Sequence, residues 1–334
     1  MQSTEGIGLG IIDSLSAGYR LLIKRLELLL LPLLLDAFLW FVPRLSIEPL
    51  LQNFAAFYAD IFAQFGAAAD TLGPGLADLP VQVTKMMDAV GKSFNLFDLL
   101  VSASLYHVPS LLATLPGVKT EQTNQQIASL LNAGGSALLL GLLGLFLGVV
   151  YMNLLARIVP LGEGEKSATP PRFISAVLRH WLRSLGFLLA MLVFLLMLYI
   201  PTAVGVTVLM LISPALGAGA MMLMGGLVTV IFFYLYFVTV GLVLDNLSVR
   251  AAVMRSIVLV RHNFWSTLGF FLLTNLISVG ITLLLREIVA VGVVGVALGA
   301  LINAFVGTGL AMALLIFYRT RLIVTSDKTQ TQKA

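Results

Sequence analysis

Long apolar runs, separated by short polar and mostly basic segments, organise this chain. Crossing a hydrocarbon layer roughly 30 Å thick takes about 20 mostly apolar residues that satisfy their own backbone hydrogen bonds. Runs of that length lie at 21–42, 136–158, 265–285 and 288–318, and residues 184–244 carry no charge at all. A break at Ser213-Pro214-Ala215-Leu216-Gly217 divides that block into spans at 184–212 and 217–244, with Pro201 as a kink in the first. The expected fold is therefore all-α: a polytopic transmembrane helix bundle of about six spans, arranged as three hairpins, with amphipathic interfacial helices.

Periodicity places the interfacial helices. In LDNLSVRAAVMRSIVLVRHNFW (244–265), Val249, Val253, Ile257, Val260 and Phe264 share one stripe at 100° per residue. Arg250 and Arg261 edge the stripe on one side, Arg255 and His262 on the other. Asp245, Asn246 and Ser248 stand ahead of it as residue types suited to a helix N-cap. An arginine in hydrocarbon costs about 2.5 kcal/mol or more on insertion scales, so the pattern predicts a helix over 245–264 lying on the membrane, not crossing it. Residues 172–189 (RFISAVLRHWLRSLGFLL) and 261–272 (RHNFWSTLGFFL) both run Arg-His, then Trp, then Leu-Gly-Phe. A weaker relative, IIDSLSAGYRLLIKRLELLL at 11–30, sets Ile12, Leu15, Tyr19 and Leu22 on one face, predicting a lead-in over 1–20 and a basic loop and helix over 159–183. Three units, each an interfacial helix followed by a hairpin, account for the likeness, and internal repeats of this kind occur in transporters. An aromatic and basic anchor wherever a helix leaves the cytoplasm accounts for it as well.

Between the first two spans, residues 43–135 form an insertion with two further stripes: Leu50, Phe54, Phe57, Ile61 and Phe65, then Val83, Met87, Val90, Phe94 and Phe97. Thr71-Leu72-Gly73-Pro74-Gly75 predicts the turn between them. The insertion is expected on the outer side, either capping the bundle or docking a protein partner.

Composition fixes the solvent. Hydrophobic residues make up 59% of the chain, charged residues 11%, and the mean hydropathy is +1.01. A soluble domain carries about a quarter charged residues and could not hide this much apolar surface. The reading is an integral membrane protein. Six spans put both termini on one side, together with fifteen of the 20 Lys and Arg; Arg44, Lys85, Lys92, Lys119 and Arg286 fall on the other. Basic enrichment makes the first side cytoplasmic, so the segment from 319 to 334 is a cytoplasmic tail. No small-residue cleavage site follows the first apolar run, which reads as a retained signal anchor. Zero cysteines exclude disulfides and thiolate chemistry.

Candidate chemistry is sparse. His107, His180 and His262 are scattered, without a second ligand at metal-binding spacing, and GIGLG (6–10) has neither a preceding strand nor a phosphate-loop lysine. No HExxH or G-x-S-x-G occurs. No catalytic residue, cofactor, metal or nucleic-acid partner is expected, and the protein reads as a non-enzyme. Asp36, four residues after Pro32, is the one carboxylate well inside an expected span and a candidate ion or proton site, or a partner for Arg44. Asn153, Asn275 and Asn303 are weaker intramembrane candidates of the kind that bond neighbouring helices. Arg179, Arg183, Arg250, Arg255 and Arg261 are candidate contacts for anionic lipid headgroups at the cytoplasmic face. Gly144 and Gly148, and Gly295, Gly299 and Gly307, predict close helix packing.

The segment LVLDNLSVRAAVMRSIVLVRHNFW, with YRLLIKRLELLLLPLLLD near the start, resembles a family of bacterial six-helix membrane proteins. These are related to the membrane domain fused to some glycerophosphodiester phosphodiesterases. Ser248, Ala252, Arg255, Ser256 and Trp265 carry the resemblance, over about a quarter of the chain. It implies the architecture and a bacterial cytoplasmic (inner) membrane. No phosphodiesterase barrel is expected within these residues, so no catalytic residue is carried over. The expectation is a scaffold, assembly or lipid-organising component; the alternative is a secondary transporter or channel using Asp36.

Overall fold

The computed structural model describes residues 9–71, 79–102, 105–115, 118, 124–159 and 172–331, with side-chain surroundings described for these except 65–71, 79, 124, 211 and 326–331. The turn expected at 71–75, most of GIGLG, the basic loop over 160–171 and most of the tail's side chains fall outside them.

The first apolar run does not form one continuous helix. It folds as α1 (Ile11–Ile23), a 3-10 turn (Leu26–Leu29) and α2 (Leu30–Phe41). The interruption falls at Lys24-Arg25, charged residues that a smooth hydropathy average hides, and Pro32 sits in the first turn of α2, where a backbone N–H is dispensable. There follow β1 (Arg44–Ser46), α3 (Glu48–Thr71), α4 (Leu79–Ser93), the short α5 (Leu99–Ser102) and α6 (Leu111–Thr114), and β2 (Asn124–Gln126). Then come α7 (Leu130–Ala156), α8 (Phe173–Ile212), α9 (Pro214–Tyr234), α10 (Val238–Leu244), α11 (Val249–His262), α12 (Phe264–Val289) and α13 (Val293–Thr331). The expected all-α class holds, apart from one parallel strand pair that the sequence did not announce. Among the described residues five helical segments are long and apolar enough to cross a membrane: Leu130–Ala156, Phe173–Met210, Pro214–Leu244, Phe264–Val289 and Val293–Thr325. They fit a multi-pass membrane protein.

Ser213 and Pro214 separate α8 from α9 where a break was expected: Ser213 is extended and Pro214 opens α9 at a position suited to proline. The expected separation of a basic segment from the third span is absent, because α8 runs uninterrupted from Phe173 through Pro201 to Ile212.

The chain divides into two compact units. The first holds Met1–Leu28, Gly148–Val279 and Val306–Ala334. Its core gathers Phe237, Val238, Leu242, Phe270, Phe317 and Tyr318, all nearly or fully buried, with the Phe270 and Phe317 rings stacked 4.3 Å apart. Within this unit α1 runs antiparallel to the C-terminal half of α13: Arg321 donates to the Leu9 carbonyl, and Tyr19 to that of Val306. Gly18 makes the crossing possible, since a Cβ there would lie 2.6 Å from the Ala313 amide nitrogen. The stripe expected on this segment is accordingly revised. Ser14, Leu15, Gly18 and Leu22 are buried, while Ile12 is 72% exposed, because backbone proximity at a glycine outweighs side-chain hydropathy.

The second unit holds Leu29–Leu147 and Gly280–Phe305. Here α3 packs against α4, and β1 pairs in parallel with β2 in the register Arg44↔Asn124 to Ser46↔Gln126. Arg44 does not pair with Asp36. Its guanidinium donates to the carbonyls of Gly91 and Phe94, at the C-terminal end of α4. The insertion's stripes stay largely at the surface: Phe54, Phe57 and Val90 are exposed, whereas Ala55 is buried. A Cβ at Gly144 would lie 2.7 Å from the carbonyl oxygens of Leu99 and Leu100, so the chain approaches closely there.

Candidate functional site

Asp36 lies on α2 with only 3% of its surface exposed. Ser110 donates its hydroxyl to Oδ1 at 2.5 Å, and the amides of Leu111 and Leu112 donate to Oδ2 and Oδ1 at 3.1 and 3.2 Å. These amides belong to the first turn of α6, where helix geometry leaves N–H groups without internal acceptors. Ser110 is the N-cap of the same helix, accepting from Ala113. The carboxylate thus holds a one-turn helix from outside, and its negative charge meets the positive end of the backbone dipoles. Asp36 also lines an apolar cavity of about 270 Å³ with Leu33, Ala37, Leu112 and Ala300.

A second polar cluster sits in the other unit. His180 on α8 is 4% exposed and Asn153 on α7 is 5% exposed. Nδ1 of His180 lies 2.9 Å from Oδ1 of Asn153, whose amide nitrogen donates to its own helix at Val149. On the other edge of the ring, Nε2 lies 3.3 Å from Oδ1 of Asn246. Neutral imidazole has one N–H, so it can donate to only one of these two oxygens at a time. The Asn246 oxygen also accepts from Arg183 at 2.7 Å, and Arg183 reaches the carbonyls of Asn246 and Leu247. Asn246 has φ +52°, a left-handed conformation that asparagine tolerates better than most residues. Beside it, Arg255 and the Tyr318 hydroxyl both donate to Oδ2 of Asp245, at 2.8 and 2.6 Å. Burial works against the Arg255 charge, but the Asp245 hydrogen bond and the neighbouring Tyr318 outweigh it and hold the guanidinium above its ordinary range. The cluster fastens the α10–α11 connection to α7, α8 and α13.

The five expected headgroup arginines therefore divide. Arg183 is committed to loop carbonyls and Arg255 to Asp245. Arg179 is half-buried, and its Nε has no hydrogen-bond partner among the described residues. Arg250 and Arg261 are exposed and form no salt bridge among the described residues. They flank exposed Met254 and Val258, and Trp265 beyond them is 80% exposed. The stripe expected on this helix is instead turned partly inward, with Val260 fully buried and Val249, Val253, Ile257 and Phe264 half-buried.

Of the remaining candidates, Asn275 is exposed and donates to the Phe271 carbonyl of its own helix, and Asn303 is half-buried. Neither joins a cluster with Asp36 or Asn153 in the described hydrogen bonds. His262 donates from Nδ1 to the Val258 carbonyl of its own helix, and His107 is exposed. Among the described residues no three His, Asp or Glu side chains come together in a way that could hold a metal ion. Ser110 and Tyr318 escaped sequence reasoning, and Asn246 was marked only as an N-cap candidate. A serine directly before Leu-Leu-Ala-Thr is a legible N-cap signal, whereas nothing local to Tyr318 marks its partner 73 residues away. Comparison with protein-family models, with curated proteins and with solved structures finds no match for this chain.

Proposed function

We propose that this is a non-enzymatic, multi-pass protein of the bacterial cytoplasmic membrane, a scaffold, assembly or lipid-organising component that meets anionic headgroups through α11. The supporting observation is the exposed face of that helix, where Met254 and Val258 lie between Arg250 and Arg261 and Trp265 follows. Apolar side chains beside unpaired arginines suit the boundary between acyl chains and phosphates, and an exposed tryptophan suits the same depth. In this reading the hairpins thread so that both termini and the arginine-rich segments share the cytoplasmic side. The expected kinship with the membrane domain of glycerophosphodiester phosphodiesterases belongs to the same proposal and rests on Ser248, Ala252, Arg255, Ser256 and Trp265. The exposed phenylalanines of α3 make the insertion a surface on which a protein partner could dock.

A transporter or channel using Asp36 is the second reading, favoured by the cavity that Asp36 lines. Three donors already occupy the carboxylate, which weighs against it. Lipid analysis of the purified protein tests the first reading. The wild type should retain phosphatidylglycerol or cardiolipin through purification, and R250Q/R261Q should lose a large part of it. An unchanged lipid complement would overturn it. The natural absence of cysteine allows single cysteines at 250 and 261 to report sidedness with an impermeant maleimide.

A further inference from the structure

The second unit contains a pocket of about 680 Å³, within the range of small-molecule sites. It lies at the junction of α12 and α13, where Gly292 turns the chain with φ +105°. Its walls are chiefly apolar, from Trp40, Leu283, Val293 and Val296, and Arg286 is the sole charged residue among them. Arg286 is exposed and forms no salt bridge among the described residues. Trp40, Val293 and Val296 also line the 270 Å³ cavity that reaches Asp36. Two apolar spaces thus share a wall, with a cation at one end and a carboxylate at the other.

We infer that this pair of cavities binds a lipid with an anionic headgroup, the anion on Arg286 and an acyl chain along Trp40, Val293 and Val296. Arg286 and Thr282 are the polar side chains on walls that are otherwise apolar, an arrangement that suits one anionic group joined to an acyl chain. A neutral lipid would leave the guanidinium without a partner. The carboxylate of Asp36 repels an anion from the inner end, and its oxygens already accept from Ser110, Leu111 and Leu112, so the chain end faces that side. The inference requires that the protein be embedded in a membrane, but not that α11 contact lipid, since the residues belong to the other unit.

The test uses purified full-length protein in detergent and a lysophosphatidylglycerol carrying a diazirine on its acyl chain, with the cross-linked peptide identified by mass spectrometry. Cross-links are expected on the peptide containing 293–297. Their yield at low lipid concentration should fall about tenfold in R286Q and persist in R286K. Val293→Trp, which fills the shared wall, should abolish them. The matching lysophosphatidylcholine should label this peptide several-fold less. Equal labelling by the two lipids, labelling that R286Q leaves intact, or labelling confined to α11 would overturn the inference, and the last of these would leave the proposed function standing. Absence of labelling, as when a protein occupies the pocket, would overturn it too.

Discussion

Asp36 and Asp245 are both acidic side chains withdrawn from solvent, the first 3% exposed and the second with 11% of its side chain accessible. Their partners differ in kind. Asp36 takes a hydroxyl and two backbone amides, all neutral, and completes a helix N-terminus that would otherwise present bare N–H groups. Asp245 takes the guanidinium of an arginine whose side chain is 42% exposed, and a phenol. Removing the first carboxylate strands donors that water cannot reach; removing the second leaves an arginine that water can solvate. A carboxylate bound to backbone holds the chain's shape, whereas one bound to a half-exposed cation chiefly fixes the direction of a loop.

Substitution breaks the comparison most sharply at Asp36. D36A should lower the thermal stability of the detergent-solubilised protein the most, by about 3 kcal/mol, since hydrogen bonds to a buried charge are each worth about 1.5–3 kcal/mol. D36N should cost less, because one amide oxygen still accepts. Ser110→Ala comes next, at about 2 kcal/mol, because it removes an N-cap and one hydrogen bond to the buried carboxylate. D245N should cost about 1 kcal/mol, because water solvates the Arg255 side of the pair and the amide oxygen can still accept from Tyr318. The smallest effect is ionic strength: adding salt should narrow the gap between D245N and wild type and leave that between D36N and wild type unchanged. Unfolding midpoints followed by light scattering or tryptophan fluorescence would rank all four. A D245N loss as large as that of D36A would end the distinction.

What the sequence made legible follows the range of the signal. The boundary between α8 and α9 is written in Ser213-Pro214, and the start of α11 in Ser248, whose hydroxyl accepts from the Ala251 amide. Both are local, decided by residues within one turn. The break inside the first apolar run is local too, but three charged residues among so many leucines barely move a hydropathy average. Gly18 carries no hydropathy signal, yet its missing side chain decides which face of α1 is buried. Asp36 stood out as a charge in an apolar run. Its partner Ser110 is 74 residues away, with no spacing rule to connect them. Likewise the arginines of 250–261 were evident, but which of them remain free depends on Asp245 and Tyr318.

The continuity of α8 bears on how it can sit in a bilayer. Its 40 residues, at about 1.5 Å each, make a rod about 60 Å long, roughly twice the hydrocarbon depth. Submerging the whole rod would require a lean of about 60°, beyond the roughly 40° that transmembrane helices reach. Some of α8 therefore emerges into headgroups or water in a bilayer of any ordinary thickness. With Arg172, Arg179 and Arg183 all at its beginning, that is the end suited to emerge.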